Sequence, residues 1–310
     1  MSLTRVWRCG NYGSVASVLI EKPAIGDFLL ILDGGFSLQY SPLMEYREGR
    51  GMVLFCQMDV TDRTEHDPAA QYLIRNMFQY LSGRRPMPER KALYMGEPAS
   101  KCHLEASGVA VAPYDGGPLS AQQVLIAGPR AGQELAAVAP RLSAWLQAGG
   151  HLLAIGVDQD DARRLLPFPV TMSRAEHIAS GFPPFGSASA LAGIGPADVY
   201  NRSPYELPLV SRGATVIGDG VLAQQSSVVF LQLVPWRFDY EKQYNPKRTF
   251  RRSSFTLNRI LAGMGVRGVT PLLTRIGTPV SPAETTNRCL VSLYLDRPEE
   301  WDDPYRFFRW

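Results

Sequence analysis

Two stretches of the chain repeat one pattern of apolar and polar positions. Val53-Leu54-Phe55-Cys56-Gln57-Met58 is a strand-like run that leads through a polar loop to Asp67-Pro68, and then to a helical spacing of Ala70, Leu73, Ile74, Met77 and Leu81. Val228-Val229-Phe230-Leu231-Gln232-Leu233 leads in the same way to Asn245-Pro246 and a helix with Phe250, Leu257, Ile260, Leu261 and Met264. Each predicted helix has an Asx residue to cap its first amides, a proline in the first turn, and a glycine stop at Gly83 or Gly265. The shared V-x-F-x-Q strand predicts a duplication. A second copy that opens at Lys91-Ala92-Leu93-Tyr94-Met95 then makes residues 1–85 the C-terminal part of an equal first unit, so that the chain begins inside a domain. Ser82-Gly83-Arg84-Arg85-Pro86-Met87-Pro88 reads as the linker.

Residues 90–268 read as one complete unit. Strand 92–95, a helix near 98–106, strand Val109–Ala112 and strand Val124–Ala127 precede a Gly128-Pro129 break. A helix follows with Leu135, Val138, Leu142, Trp145 and Leu146 on one face, bent at Pro140 and stopped at Gly149-Gly150. Strand Leu152–Ile155 comes next. Short apolar strands alternating with helices predict an α/β fold with a parallel sheet covered on both faces. Residues 167–227 read as an irregular, Pro/Gly-rich insertion. Residues 269–310 read as an extension with one strand, Cys289–Leu295, and an aromatic tail. Five aromatic residues between Trp301 and Trp310 are too much apolar surface to leave in water, so the tail is expected to dock on the first unit.

Composition narrows the functional classes. The 310 residues carry 32 Lys+Arg against 29 Asp+Glu, a net +3, so no global field favours nucleic acid or an acidic membrane. No apolar run reaches the roughly 18 residues of a membrane span. Cys9, Cys56, Cys102 and Cys289 form neither a disulfide framework nor a C-x-x-C pair, and His66, His103, His151 and His177 have no metal-ligand spacing. No cofactor or metal is therefore expected.

The order strand, Gly-Pro loop, helix, Gly-Gly, strand and sharp turn resembles class I glutamine amidotransferases, which implies a flavodoxin-like, doubly wound sheet with a partial second copy at the N-terminus. In that family the turn carries a G-x-C-x-G elbow that exposes a thiolate beside oxyanion-stabilising amides, with a His-x-Glu pair near a later strand. Here the turn reads Ile155-Gly156-Val157-Asp158-Gln159, and the later strand Gln232-Leu233-Val234-Pro235-Trp236. Valine cannot ionise or attack, and no histidine is present, so the elbow at Gly156, Val157 and Asp158 is degenerate. Asp158 is expected to cap the helix that follows. Leu38-Gln39-Tyr40-Ser41-Pro42-Leu43, the Val53–Val60 run, Gly193-Ile194-Gly195-Pro196-Ala197-Asp198 and Asp302-Asp303-Pro304-Tyr305-Arg306 resemble C-terminal regions of large bacterial β-galactosidase-like glycoside hydrolases. That resemblance implies a secreted or periplasmic parent; the residues themselves fix no localisation.

The remaining candidates each have a structural alternative. Cys56 within a strand is a small buried hydrophobe or a nucleophile, and adjacent Cys102-His103 side chains diverge on any regular element. Asp59, Asp62, His66 and Asp67 form an oxygen-rich loop that suits a cation or a solvated cap. Glu45, Glu48, Glu206 and Glu241 are carboxylates that sequence alone cannot pair across a sugar. Trp236, Arg237, Phe238 and Tyr240, followed by Arg248 and Arg251, form a candidate binding surface for carbohydrate, or a packing surface for a neighbouring domain. The expected function is a non-catalytic ancillary region, for assembly or carbohydrate binding, of a multidomain glycoside hydrolase. Its expected partners are other domains of the same polypeptide, carbohydrate, or a second copy. An active hydrolase with an unfamiliar nucleophile and a free-standing sugar-binding module are the alternatives.

Overall fold

The computed structural model describes residues 16, 19–24, 26–35, 38–48, 51–83, 88–238 and 244–268. The aromatic tail, the strand expected at 289–295 and Tyr240 lie outside them. The first elements are β1 (Ile20–Glu21), β2 (Asp27–Gly34), β3 (Tyr40–Glu48), β4 (Gly51–Cys56) and α1 (Pro68–Ser82). They are followed by β5 (Lys91–Met95), α2 (Pro98–Ala106), β6 (Val111–Pro113), β7 (Gln123–Ala127), α3 (Ala131–Leu135), α4 (Ala139–Gln147), β8 (His151–Ile155) and α5 (Gln159–Leu165). The last are β9 (Thr171–His177), β10 (Tyr205–Arg212), β11 (Thr215–Ile217), β12 (Leu222–Gln225), β13 (Val228–Leu231) and α6 (Tyr244–Gly263).

The fold is α/β, with a seven-stranded sheet in the order β11-β12-β13-β8-β7-β5-β6. Strands β13, β8, β7, β5 and β6 run parallel, while β11, β12 and β13 form an antiparallel meander at one side. The central strands β7, β8 and β13 are buried on both faces, which is why their sequences are continuous apolar runs. Alternate residues separate two cores. Val124, Ile126, Leu153, Ile155, Val229 and Leu231 pack with Leu104 of α2 and with Leu257, Ile260 and Leu261 of α6. Leu125, Leu152, Ala154 and Phe230 pack with Leu135, Leu142 and Trp145 of α3 and α4 and with Leu165 of α5.

Two expectations need correction. Pro140 does not bend a long helix: it lies in the first turn of α4, after a 3-10 turn over Ala136–Val138 that separates α3 from α4. The stretch 167–227 is not irregular throughout, because β9 and β10 form an antiparallel ribbon within it and β11 and β12 join the main sheet. Thr171-Met172-Ser173-Arg174-Ala175-Glu176 is mostly exposed and polar, so period-two alternation gave no signal there. Residues 20–56 hold a separate antiparallel sheet, β1 to β4, in which β3 pairs with β1, β2 and β4.

The two V-x-F-x-Q strands have related surroundings. Each closes an antiparallel three-strand meander, β2-β3-β4 or β11-β12-β13, and each precedes a long helix, α1 or α6. Asp67 caps α1 by accepting from the Ala69 amide at 2.9 Å. They differ beyond the meander: β13 pairs in parallel with β8, whereas among the described residues β4 has β3 on one side and only an Ala16–Met58 bridge near its end.

Helix α6 joins the two sheets. Its residues from Arg248 to Ala262 are all buried, although they include four arginines. The apolar side rests on the seven-stranded sheet and the cationic side lies under the first unit. Arg251 pairs with Glu21 at 2.7 Å, and Arg259 reaches Asp27 at 2.9 Å and the Phe28 carbonyl at 3.0 Å. Lys22 of the first unit enters the second, 2.6 Å from Asp198 and 2.9 Å from Asp33. Removing one partner of a buried pair strands the other charge, at a cost of about 3–5 kcal/mol. Arg259→Met should therefore lower the unfolding free energy by about that amount, and Asp27→Leu in the same chain should recover most of it. A denaturant-unfolding double-mutant cycle checks this; a loss below about 1 kcal/mol in the single variant would show that the pair is not a stabilising anchor.

Candidate functional site

Open parallel sheets place ligands beyond the C-terminal ends of the strands, at the point where the strand order reverses. Here that point lies between β5 and β7, and the protein's own side chains fill it. The Tyr94 ring lies so close to Gly128 that a Cβ there would sit 2.4 Å from the phenol oxygen. That hydroxyl donates to the Glu97 carbonyl at 2.8 Å, and burial pushes its pKa up to about 12. Glu97 in turn accepts from the Trp236 indole N–H at 2.6 Å.

The turn after β8 is equally closed. Gly156 has φ +56, and a Cβ on it would stand 2.3 Å from a Val234 methyl and 3.4 Å from the Pro129 ring. Val157, at the position of the expected nucleophile, is 0% exposed and belongs to the core beneath α3 and α5. Asp158 caps α5, its carboxylate accepting from the amides of Asp160 at 3.0 Å and Asp161 at 2.9 Å. Sequence reasoning missed Asp161, which lies in the first turn of α5 and reaches across to the loop after β7. Its two oxygens accept from the Arg130 amide at 2.9 Å and the Gly132 amide at 3.1 Å. Burial raises its pKa, against the lowering effect of those two amides. The backbone donors beside the elbow are thus engaged by an internal carboxylate.

The candidate aromatic surface is divided. Trp236 faces the His103 ring at 5.5 Å, Phe238 is buried edge-on to Tyr205 at 5.0 Å, and Arg237 alone of the three is exposed. Arg248 and Arg251 are buried in the α6 interface. Gln232, at the start of the segment after β13, is fully buried with both amide atoms unpaired among the described residues.

The other candidates are also dispersed. Cys102 is exposed whereas His103 is buried, and burial lowers the imidazole pKa to about 4, so it is neutral and points away from the thiol's surroundings. Cys56 is half-buried in β4. Asp59 pairs with Arg63 at 2.5 Å, Asp67 caps α1, and no group of three metal-ligating side chains occurs among the described residues. Glu45 is buried on β3, held by Arg47 and by the Tyr80 hydroxyl, and Glu206 lies on the β9–β10 ribbon beside Glu176.

Neither a family model nor a curated protein matches the sequence. Solved structures are similar to it at low level, among them two glycoside hydrolases. One is a cold-adapted beta-galactosidase from Rahnella sp. R3, with TM-score 0.34 and 16% identity over 73% of this chain and 39% of that one. The other is alpha-L-fucosidase isoenzyme 2 from Paenibacillus thiaminolyticus, with TM-score 0.34 and 15% identity over 66% of this chain and 37% of that one. The chain thus spans well under half the length of either.

One further polar pair was invisible in the sequence because its members are 42 residues apart. His177, fully buried at the end of β9, meets the Asp219 carboxylate through Nδ1 at 2.6 Å and the Val199 carbonyl through Nε2 at 2.6 Å. Burial pulls the imidazole pKa down, but the Asp219 bond and the Val199 carbonyl outweigh it and the net shift is upward. A raised folded pKa contributes stability that is complete below the unfolded value of about 6.5 and is lost as pH rises through the folded value. Urea unfolding between pH 5.5 and 8.5 should show stability falling across that window, and His177→Gln should flatten the slope. An unchanged slope in the variant would show that other groups set it.

Proposed function

We propose that this chain is a non-catalytic assembly region of a multidomain carbohydrate-active protein. The observation that carries the reading is the closed elbow: Val157 faces the core, and Asp161 holds the amides where an oxyanion would bind. Acyl transfer needs an exposed nucleophile about 3 Å from free donors, whereas Val157 is buried and the Arg130 and Gly132 amides are already engaged. Packing of half-buried Trp236 against His103 and of buried Phe238 against Tyr205 favours assembly over sugar stacking.

Taken in chain order, the parallel strands lie 2-1-3-4-5, the order that supports a flavodoxin-like, amidotransferase-type reading of residues 90–268. The paired meander-helix arrangements support reading residues 1–85 as the C-terminal part of a related unit. The carbohydrate-active parent rests on the sequence strings at 38–43, 53–60, 193–198 and 302–306.

The purified chain should release no ammonia from glutamine and no nitrophenol from nitrophenyl esters or glycosides. Val157→Cys should remain inactive, and its new thiol should alkylate far more slowly than exposed Cys102, by at least about tenfold, because a buried thiol is inert. Turnover by the unsubstituted chain above a heat-treated control would overturn the reading.

A further inference from the structure

One buried ring ties three segments of the second unit together. His177 is the last residue of β9 and is 0% exposed. Its Nδ1 meets Asp219, in the turn between β11 and β12, and its Nε2 meets the Val199 carbonyl, each at 2.6 Å. Val199 ends the 3-10 turn Pro196–Val199, which α6 holds through a bond from the Thr256 hydroxyl to the Asp198 carbonyl at 3.0 Å. The β9–β10 ribbon, the rim of the seven-stranded sheet and the turn on α6 therefore share a single side chain.

Both of its partners are acceptors. A carboxylate and a carbonyl oxygen have no proton to give, whereas a neutral imidazole carries one N–H and a protonated one carries two. The two contacts are hydrogen bonds together only when the ring is charged. A neutral ring leaves one nitrogen lone pair facing an oxygen at 2.6 Å, in a place closed to water. The other charged groups nearby are turned elsewhere. Glu176 and Glu206 are exposed and adjoin His177 and its register partner Tyr205, so the pleat puts them on the opposite face of the ribbon. Asp198 binds Lys22 at 2.6 Å and the Gly195 amide at 2.8 Å, Arg252 of α6 reaches the Tyr200 carbonyl at 3.3 Å, and Arg202 is exposed. Asp219 is the counter-charge, its side chain 31% exposed and its other oxygen accepting from the Val221 amide at 3.2 Å.

We propose that His177 is a pH-operated latch: protonated, it pins the end of β9 to Asp219 and Val199 together, and deprotonated, it keeps Asp219 and releases Val199. The bond to the carboxylate is charge-assisted and the stronger of the two, so the last proton stays on Nδ1 and Nε2 gives up its own. The buried Val199 carbonyl then loses its donor. The Asn201 amide, bonded to the Ile178 carbonyl at 2.7 Å, closes the same junction and opens with it. The release is local, since the parallel strands make no bond to this ring. It does not depend on whether the elbow is catalytic, so turnover in the assays above would leave it standing.

Nitrogen-15 NMR of the full 310-residue chain between about pH 5.5 and 9 tests both halves of the latch. At the acid end both ring nitrogens of His177 should carry protons, and above the midpoint the remaining proton should sit on Nδ1. Protection of the Asn201 amide, corrected for intrinsic exchange, should fall at least about tenfold through the same midpoint while that of the β8 amides holds. Asp219→Asn removes the opposite charge and should lower the midpoint by about one pH unit or more. His177→Gln should abolish the step at Asn201. Where a variant does not fold, the titration of the unsubstituted chain decides. A ring neutral at pH 5.5 or still charged at pH 9, a proton that stays on Nε2, Asn201 protection that ignores the titration, or an equal fall in β8 would each overturn the proposal. So would an unmoved midpoint in folded Asp219→Asn, or a step that persists in folded His177→Gln.

Discussion

The burial of α6 between two sheets is the constraint on which the rest of the structure depends. A helix with four arginines among its residues 248–262 ordinarily keeps one face in water. Here the seven-stranded sheet takes the apolar face and the first unit covers the cationic one. Charged groups without water must be paired, so the first unit has to present carboxylates and carbonyls at fixed places, and Glu21, Asp27 and the Phe28 carbonyl do so. The two units are locked by this requirement rather than by a broad apolar contact, and Lys22 repeats the device in the opposite direction by reaching Asp198.

The same economy of space closes the sites where related folds do chemistry. Residues at the C-terminal ends of the parallel strands turn inward: Tyr94 fills the crevice between β5 and β7, Val157 joins the core, and Val234 seals the turn at Gly156. Once the elbow carries a valine, its lowest-energy position is buried, because exposing an isopropyl group forfeits hydrophobic stabilisation. The freed amides of Arg130 and Gly132 then need an acceptor, and Asp161 supplies it. Burial of Val157 and engagement of the Arg130 and Gly132 amides by Asp161 together close this turn.

The two meanders show how one local pattern takes different tertiary roles. In the second unit β13 lies between β12 and β8, and residues 248–262 of α6 are buried. In the first unit β4 is bordered by β3 alone among the described strands, and only Ala70 of α1 is buried. Local sequence sets the strand, the Asx cap and the helix in both; the number of neighbours decides how much of that surface leaves water.

Much of this was legible from residue order. Continuous apolar runs at 92–95, 124–127, 152–155 and 228–231 determined the parallel strands, Asp67-Pro68 the start of α1, and Asp158 the cap of α5, because each depends on side chains close in sequence. The sequence did not reveal the β9–β10 ribbon, because β9 is mostly exposed and polar and has no period-two signal. Nor did it reveal the antiparallel direction of the first sheet, since pairing direction is not encoded by the apolarity of a single strand. Trp236, Phe238, Arg248 and Arg251 looked like a binding surface because aromatic and cationic side chains serve equally for recognition and for packing. Only the tertiary structure could decide, by setting Trp236 against His103, Phe238 against Tyr205 and Arg251 against Glu21. The pairs Asp161 with the Arg130 amide, His177 with Asp219 and Arg259 with Asp27 were likewise decided by chain folding, because they join residues 31, 42 and 232 positions apart.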